Sequence, residues 1–403
     1  MSRRAGATAG SQSSLRLANR SLVVDTVKQY GGLTQVELAA ATGLSAATVS
    51  TIVRELLAAG VVDIATTTRS GRRAQMVTLA RRVGLAVGVQ VGHRHLRIVL
   101  GDFTHEVIAE QSLPLPHEHR VDTTLDRVAL LVIDLLEQMG STLEDVVGLG
   151  IGLPAPVDTA TGTISVQDIM RGWEDVHVGR IMSERLGRPV YVDNDANLGA
   201  LAESTLGASA DRVDSVFVRA SYGTGAGIVL NRSLHRGFAG TAGEIGHLQL
   251  DPQGAICRCG SRGCLDTVVG ATALIDALRS AYGSLTLRDV ISRANDGDRG
   301  CAQVISDAGA TIGAVIASLA VAVNPQCVVV GGELAETGEL LLAPLREAVN
   351  RRLLPNRVAP MEVVLGALGT RAEALGAMLL ALQSTDVPLD ELDRDASAPG
   401  VLR

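Results

Sequence analysis

The chain of 403 residues is 46% hydrophobic, 20% charged and only 2% aromatic, with a formal net charge of −7, which describes a soluble globular protein with room for two or three domains around an aliphatic core. Its five cysteines, an odd number, argue against a disulfide scaffold and for reduced thiols in the cytoplasm. Nothing apolar follows the basic, polar start "MSRRAGATAGSQSS", so no secretory signal is expected. The uncharged stretch from Ala308 to Gly332 is cut by Asn324-Pro325 into a buried helix to about Val323 and a buried strand "CVVVGG", so no membrane span is expected either.

The charge is unevenly spread. Residues 1–82 hold 11 basic and 4 acidic side chains, a net of +7, which leaves −14 for the remainder. A basic head on an acidic body predicts a head that binds a polyanion. Within it, residues 15–29 carry apolar side chains at helical spacing. Thr34 with Glu37 three residues on predicts a capping box, and that helix ends near Gly43. A second helix starts at Ser45, and its residues Val49, Ile52, Val53, Leu56 and Leu57 predict one core-facing stripe. Two helices joined by so short a turn form a helix-turn-helix.

The second helix presents Ser45, Ala46, Ala47 and Thr48, then Ser50, Thr51 and Arg54, to a major groove. None of the first four side chains makes the two-pronged guanine contact of an arginine, so base readout by this helix is modest. "VVDIATTTRSGRRAQMVTLA" follows as strand, turn and strand, a wing whose tip holds Arg69, Arg72 and Arg73. Those arginines suit a narrow A·T-rich minor groove. The other use of such a head, protein contact, leaves the basic tip without a purpose.

From Val83 onward strands alternate with helices. "VGLAVGVQVGHRHLRIVLGD" reads as two strands about a tight turn, "VVGLGIGLPAPVD" as a buried strand entering a loop, and "PVYVDNDANLGALAES" as a strand that ends in Asp193-Asn194-Asp195 and continues as a helix. "SVFVRASYGTGAGIVLNRSL" reads as a hairpin around the glycine-rich loop Ser221–Gly227, and "QCVVVGGEL" as a late strand ending in two glycines. Such alternation predicts α/β lobes with sites at the strand ends.

"VDNDAN", "GTGAG", "GEIGH" and "CRCGSRGCLD" occur in this order. With that spacing the chain resembles the ROK family (repressors, open reading frames, kinases) over nearly its whole length, and the winged head resembles that of the repressor branch. The resemblance implies an α/β fold: an N-terminal winged helix-turn-helix, residues 1–82, then a two-lobed actin/Hsp70/sugar-kinase-like (ribonuclease H-like) body. Residues 83–203 would form the first lobe, completed by a C-terminal helix near 371–383. Residues 204–370 would form the second, and 384–403 a disordered acidic tail.

The resemblance also implies a sugar site. Asn194 and Asp195 would bond sugar hydroxyls, and Asp195 occupies the position of the general base in the kinase branch. Glu244 and His247 would hold further hydroxyls. Two positions depart from the family pattern: Asp266 stands where Glu is usual, and Asp168 of "QDIMRGW" stands where Asn is usual. Carboxylates suit a ring of hydroxyls because each accepts more than one hydrogen bond.

For ATP, the second phosphate loop Gly223–Gly227 and an adenosine-like "VVVGGE" are present. The first loop is degenerate: Gln90-Val91-Gly92-His93-Arg94 replaces an acid that organises Mg2+ with Gln90 and a small Gly-Thr pair with His93-Arg94. Phosphoryl transfer rests on metal and positioning, so the expectation is a sugar-responsive repressor that binds a double-stranded operator of two half-sites as a homodimer or homotetramer. The alternative is an ATP-dependent sugar kinase carrying a DNA-binding head.

His247, Cys257, Cys259 and Cys264 form the pattern H-x9-C-x-C-x4-C, with Gly254, Gly260 and Gly263 to let the backbone wrap. One histidine and three thiolates match a closed structural Zn2+ site; buried free thiols are the alternative, and the default for Cys301 and Cys327. With one imidazole nitrogen on the metal, the other would face a sugar hydroxyl.

Overall fold

Local signals build the head. The described residues begin with α1 (Gln12–Tyr30), which buries Val23, Val24 and Val27, and a two-residue strand β1 (Leu33–Thr34). Thr34 then caps α2 (Gln35–Thr42) through the expected box: Glu37 N donates to Thr34 Oγ1 at 3.3 Å, and Thr34 N to Glu37 Oε2 at 2.8 Å. Gly43 stops the helix at φ 69°, in the left-handed region that suits glycine. Ser45 caps α3 (Ala46–Ala58), accepting from Thr48 N at 3.1 Å, and α2 and α3 are turned by 116° on each other. Val49, Ile52, Val53 and Leu56 are buried as expected, but Leu57 is 42% exposed. At about 100° per residue it lies roughly 80° around from Val49, beyond the edge of the stripe.

The wing pairs β2 (Val62–Arg69) with β3 (Arg72–Leu79), antiparallel from Val62↔Leu79 to Arg69↔Arg72, and β1 adds to the outer side of β3. The computed structural model describes residues 12–69, 72–116, 119–166, 169–353 and 360–387. The wing's Ser70 and Gly71, the side chains of Arg69 and Arg72, Asp168 and most of the expected acidic tail lie outside the described residues.

These divide into two compact units. The first holds residues 12–85 together with 101–107 and 382–387. Its interior uses several of the head's cations. Lys28 is buried and donates to Thr385 O at 2.8 Å, His105 Nε2 meets Lys28 O at 3.0 Å, and Arg81 pairs with Asp102 at 3.2 Å. Arg82 grips the carbonyls of Ala59 and Gly60 at the end of α3, and Arg16 pairs with Glu55. Part of the positive charge read from the sequence therefore serves the unit's own framework.

The second unit, residues 86–100 and 108–381, holds two five-stranded sheets. The first has the order β10-β7-β4-β5-β6, from β4 (Leu85–Val91), β5 (His95–Asp102), β6 (Val107–Pro114), β7 (Val146–Leu153) and β10 (Val190–Asn194). Its helices are α4 (Val121–Gln138), between β6 and β7, and α5 (Val178–Leu186), which follows the short β8 (Val157–Asp158) and β9 (Thr163–Ile164) pair. After β10 the chain turns directly into α6 (Asp195–Thr205).

The second sheet, β13-β12-β11-β14-β15, uses β11 (Ser215–Ala220), β12 (Thr224–Leu230), β13 (Ser233–His235), β14 (Cys327–Gly331) and β15 (Glu362–Leu365). Four helices cover it or lead into it: the one-turn α7 (Asp266–Val269), α8 (Ala271–Tyr282), α9 (Leu287–Asn295) and α10 (Arg299–Val323). The last two helices among the described residues are α11 (Glu339–Arg352) and α12 (Ala372–Ser384). α10 is long and apolar enough to cross a membrane, yet it buries Ile305, Ala308, Ile312 and Ile316 in the core of this sheet and ends at Asn324. It is the core helix that the interrupting Asn-Pro implied.

α6 lies between the sheets. Ala196 and Gly199 meet Gly227 and Phe217 of the second sheet, and Leu198 meets Gly152 of the first. On the far side α12 approaches so closely that a Cβ on Gly376 would overlap the Leu198 carbonyl. The N-terminus of α6 is therefore held from three directions, and the expected sugar-binding residues start there.

Candidate functional site

The site grows from the β10–α6 junction. Asn194 caps α6: its Oδ1 accepts from Ala196 N at 2.8 Å and Asn197 N at 3.2 Å. Its amide nitrogen donates to Ala155 O at 3.1 Å and approaches Glu244 Oε1 at 3.5 Å. Asp193 is buried and spent on scaffolding, accepting from Asn194 N and Asn197 Nδ2 on one oxygen and from Arg236 Nε, at 2.7 Å, on the other. Asp195 is also buried, but its Oδ2 has no hydrogen-bond partner among the described residues.

Asp195 owes its charge environment to Arg219, an arginine inside the buried strand β11. Its Nε is 2.8 Å from Glu373 Oε1 and 3.3 Å from Asp195 Oδ2, and its Nη2 is 3.9 Å from Glu333 Oε2. Burial works against charge on Arg219, but these three carboxylates outweigh it and hold the guanidinium ionised. Burial pushes Asp195 upward and Glu373 up to about 7, with Arg219 opposing both. Burial would also raise Glu333, but Arg219, with smaller contributions from Ser221 and then His95, holds it below the usual range.

Glu244, just before a short 3-10 turn at Ile245–His247, is pushed up to about 7 by burial and by the neighbouring carboxylates Asp195 and Asp266, with Arg258 opposing. Asp266 begins α7. Its Oδ1 accepts from Thr224 N at 2.7 Å and its Oδ2 from Arg258 Nη2 at 3.1 Å, so it ties the glycine-rich loop to the cysteine loop. Thr224 Oγ1 is buried without a partner among the described residues. Asn194, Asp195, Glu244, His247 and Asp266 thus line one small cavity, with Thr224, Arg219, Arg258 and His93 as the other polar side chains. Its volume is about 30 Å³, room for about one water molecule. In this conformation the polar groups close upon each other.

The cysteine loop forms one wall. Leu250 N donates to Gly263 O at 2.7 Å, Cys257 N to Ser261 O at 2.8 Å and Leu265 N to Leu248 O at 2.9 Å, which folds residues 248–265 back on themselves. Gly263, at φ 65°, has no room for a side chain: a Cβ would overlap the Asp251 carbonyl. The wrap brings His247, Cys257, Cys259 and Cys264 together, all ligand atoms within 4.8 Å of one another, in a cluster that can hold a metal ion. Cys259 Sγ lies 3.7 Å from Cys264 Sγ, and Cys257 Sγ 3.5 Å from His247 Nδ1. Cys301 and Cys327 are buried away from it.

In the first loop Gln90 is buried with Oε1 unpartnered among the described residues, His93 stands at a tilt against Tyr222 with ring centroids 5.9 Å apart, and Arg94 is exposed. On the head, Ser45, Ala46, Ala47, Thr51, Arg54 and Arg73 are exposed, and Thr48 and Ser50 are half-buried.

Sequence reasoning overlooked Arg219, Arg258 and Glu373, and read Glu333 only as the end of "VVVGGE". Arg258 sits inside the motif "CRCGSRGCLD". The signal for Arg219 was a lone charge in the otherwise apolar strand "SVFVRA", since a buried charge demands partners. Nothing local marks Glu373 as one of them.

Comparison with known proteins follows the same division. Residues 86–384 match the ROK family and residues 19–63 match winged helix-turn-helix DNA-binding domains. A DNA-binding transcriptional dual regulator of Escherichia coli is 32% identical over 90% of this chain and 91% of its own. The xylose repressor of Caldicellulosiruptor bescii is 28% identical over 93% of this chain and 97% of its own. Among solved structures, a ROK family transcriptional regulator similar to the E. coli Mlc protein superposes with a TM-score of 0.74 at 27% identity, covering 94% of this chain and 99% of that one. A ROK family glucokinase from Streptomyces griseus, in complex with glucose and an ATP analogue, superposes with a TM-score of 0.67 at 28% identity, over 75% of this chain and all of its own.

Proposed function

The chain belongs to the ROK family, and on that premise we propose that it is a sugar-responsive transcriptional regulator, a repressor that leaves its operator when a sugar or sugar derivative binds between the lobes. The observation that carries this reading is the polar ring around Asp195 in a chain that also has a winged helix-turn-helix. Asp195 Oδ2, 3.3 Å from Arg219 Nε, and Thr224 Oγ1 are buried without a hydrogen bond among the described residues, and buried polar atoms normally find one. A polyhydroxylated ring offers them hydroxyls, with Asn194, Glu244, His247 and Asp266 around it. Relatives named as repressors span the head as well as the body.

The cavity is too small for a sugar ring as it stands, since ligand pockets run to about 300–1,000 Å³. The lobes must therefore part to admit the effector, and a ligand that favours one lobe arrangement shifts DNA affinity by as much as it distinguishes the two. On the DNA side, the first turn of α3, with Ser45, Ala46, Ala47, Thr48, Ser50, Thr51 and Arg54, would enter the major groove, and Arg69, Arg72 and Arg73 the minor groove. A dimer or tetramer in the cytoplasm reading two half-sites completes the scheme.

We assign the cluster to zinc on its donor set, one imidazole and three thiols within 4.8 Å of one another. A tetrahedron with Zn–S of about 2.3 Å and Zn–N of about 2.0 Å places sulfurs about 3.8 Å apart and sulfur about 3.5 Å from nitrogen, close to the 3.7 and 3.5 Å found. The ion would be structural, pinning the loop that carries Glu244 on one side and Asp266 on the other. His247 would bind through Nδ1, leaving Nε2 for a ligand hydroxyl.

Phosphoryl transfer is not part of this reading. Gln90 supplies no metal-organising carboxylate, and Arg219 stands 3.3 Å from the carboxylate that would be the base. The test is an operator gel shift with the zinc-loaded protein and a panel of sugars and sugar phosphates. At least one should release the DNA, with no ADP formed from Mg·ATP and the same sugars. Unchanged binding with every compound, or turnover at a metabolic rate, would overturn the reading.

A further inference from the structure

The polar ring shares two of its side chains with a larger space. Arg258 and Asp266 also line a second cavity of about 380 Å³, so their ion pair is the partition between the two. Asp266 is fixed on both oxygens, by Thr224 N at 2.7 Å and by Arg258 Nη2 at 3.1 Å. Arg258 lies against the glycine-rich loop, where a Cβ on Gly223 would come within 2.7 Å of its Nη2. The arginine side chain is 35% exposed, against 10% for its partner. It can therefore turn outward with its charge still hydrated, while Asp266 stays tied to Thr224. Such a movement would join the two spaces.

Their linings differ. The inner space is bounded by Asp195, Glu244, His247 and Arg219. The outer one is bounded by the half-buried ring of Tyr222, by Ile256 and Ala273, and by the hydroxyl-bearing Thr267 and Thr272. Thr267 Oγ1 donates to Cys264 O at 2.6 Å, which leaves its oxygen able to accept a further bond. Apart from the partition, the charged side chain lining the outer cavity is Asp276, which is paired with Arg279 on the same helix. The outer volume falls within the range of small-molecule pockets, about 300–1,000 Å³, and the inner volume does not.

We propose that the effector is a neutral glycoside rather than a free monosaccharide. One sugar ring enters the polar ring, and its glycosidic substituent, a second pyranose or a group of that size, occupies the outer cavity past Arg258. The proposal rests on the sugar-sensing reading and names the class of sugar. A pyranose has an apolar C–H face and a rim of hydroxyls. The first matches the Tyr222 ring with Ile256 and Ala273, and the second matches Thr267, Thr272 and the guanidinium. An anionic substituent fits less well, because it would face two carboxylates, Asp266 and Asp276, across one cation. A cationic one finds both carboxylates already paired with arginines. A free monosaccharide would leave the outer cavity to water.

The test is titration calorimetry on the full-length, zinc-loaded protein. The probes are glucose, xylose and N-acetylglucosamine, each beside its β-1,4-linked disaccharide: cellobiose, xylobiose and chitobiose. At least one disaccharide should bind about tenfold or more tightly than its monosaccharide. Ala273→Phe and Thr272→Trp, at a half-buried and an exposed position of α8, fill the outer cavity. Each should remove the disaccharide's advantage and leave monosaccharide affinity within about twofold. Unaltered thermal melting of both variants would show that they remain folded. The proposal alone is overturned if monosaccharides bind and no disaccharide exceeds its monosaccharide, or if the advantage survives in both folded variants. Binding by none of these compounds would overturn the sugar-sensing reading as well.

Discussion

At the N-terminus of α6 most polar atoms have protein partners, and along the outer edge of the winged head most face water. Asn194 uses its amide oxygen on the helix cap and its nitrogen on Ala155, and both oxygens of Asp266 are engaged. On the head, Ala46, Ala47, Thr51, Arg54 and Arg73 are exposed. The difference reflects what each region recognises. A small ligand is discriminated by groups held within a fraction of an ångström, whereas a duplex is held largely by charge and shape, to which exposed cations adapt. Substitutions in the body should therefore act abruptly on stability and ligand response, and those in the wing gradually on DNA affinity alone.

The largest effect is expected from Arg219→Met. It leaves Asp195, Glu333 and Glu373 buried without their shared cation, a loss of about 3–5 kcal/mol of unfolding free energy, measurable by urea denaturation. Adding Glu373→Gln, which removes the carboxylate closest to the guanidinium, should restore part of it. Wild-type stability in the single variant would show that the body is as tolerant as the head. Next, Cys257→Ser with Cys259→Ser should abolish metal binding and weaken the effector about a hundredfold, the scale on which a displaced site wall acts. Elemental analysis and ligand titration check this, and normal effector response without metal would separate the loop from the site.

Glu244→Gln sharpens the contrast through pH. The folded-state value of Glu244 is raised to about 7 from 4.5. Between these values the folded chain binds the proton that the unfolded chain has lost, so the wild type loses stability as pH rises from about 4.5 to 7. The variant escapes that loss and should gain in relative stability over this window. A shift of this size corresponds to about 3 kcal/mol at most and about 1–2 kcal/mol after solvent screening. Parallel melting curves for the two proteins from pH 5 to 8 would remove Glu244 from the buried carboxylate cluster. The smallest and most salt-dependent change is expected from Arg72→Ala with Arg73→Ala. It should flatten the slope of log affinity against log salt by about 2, with melting temperature and sugar affinity untouched. An unchanged slope would take the wing out of DNA binding.

Features written within a few residues were legible in the amino-acid sequence alone. The capping box at Thr34–Glu37, the stop at Gly43, the start at Ser45, the wing strands, the helix–strand division at Asn324-Pro325 and the strand that ends at Asn194 all follow from short-range hydrogen bonding, backbone preference and hydrophobic period. So did the grouping of His247 with three cysteines, because 18 residues of one loop carry all four ligands. The family resemblance added Asn194, Asp195, Glu244 and Asp266 as neighbours in one site, and the fold brings those four to one cavity.

Other features required the folded chain. Arg219 meets Glu373 across 154 residues, and Thr224 N meets Asp266 across 42. Which carboxylate a buried guanidinium meets is decided by how α6, β11 and α12 pack, not by any spacing along the chain. The same holds for the exposure of Leu57, the addition of β1 to the wing sheet, the closed polar ring and the larger cavity across the Arg258–Asp266 pair. The physical reason is range. Caps and turns are decided by atoms a few bonds apart, whereas burial, and with it the charge state of Asp195, Glu244 and Glu373, depends on every surface that packs around them.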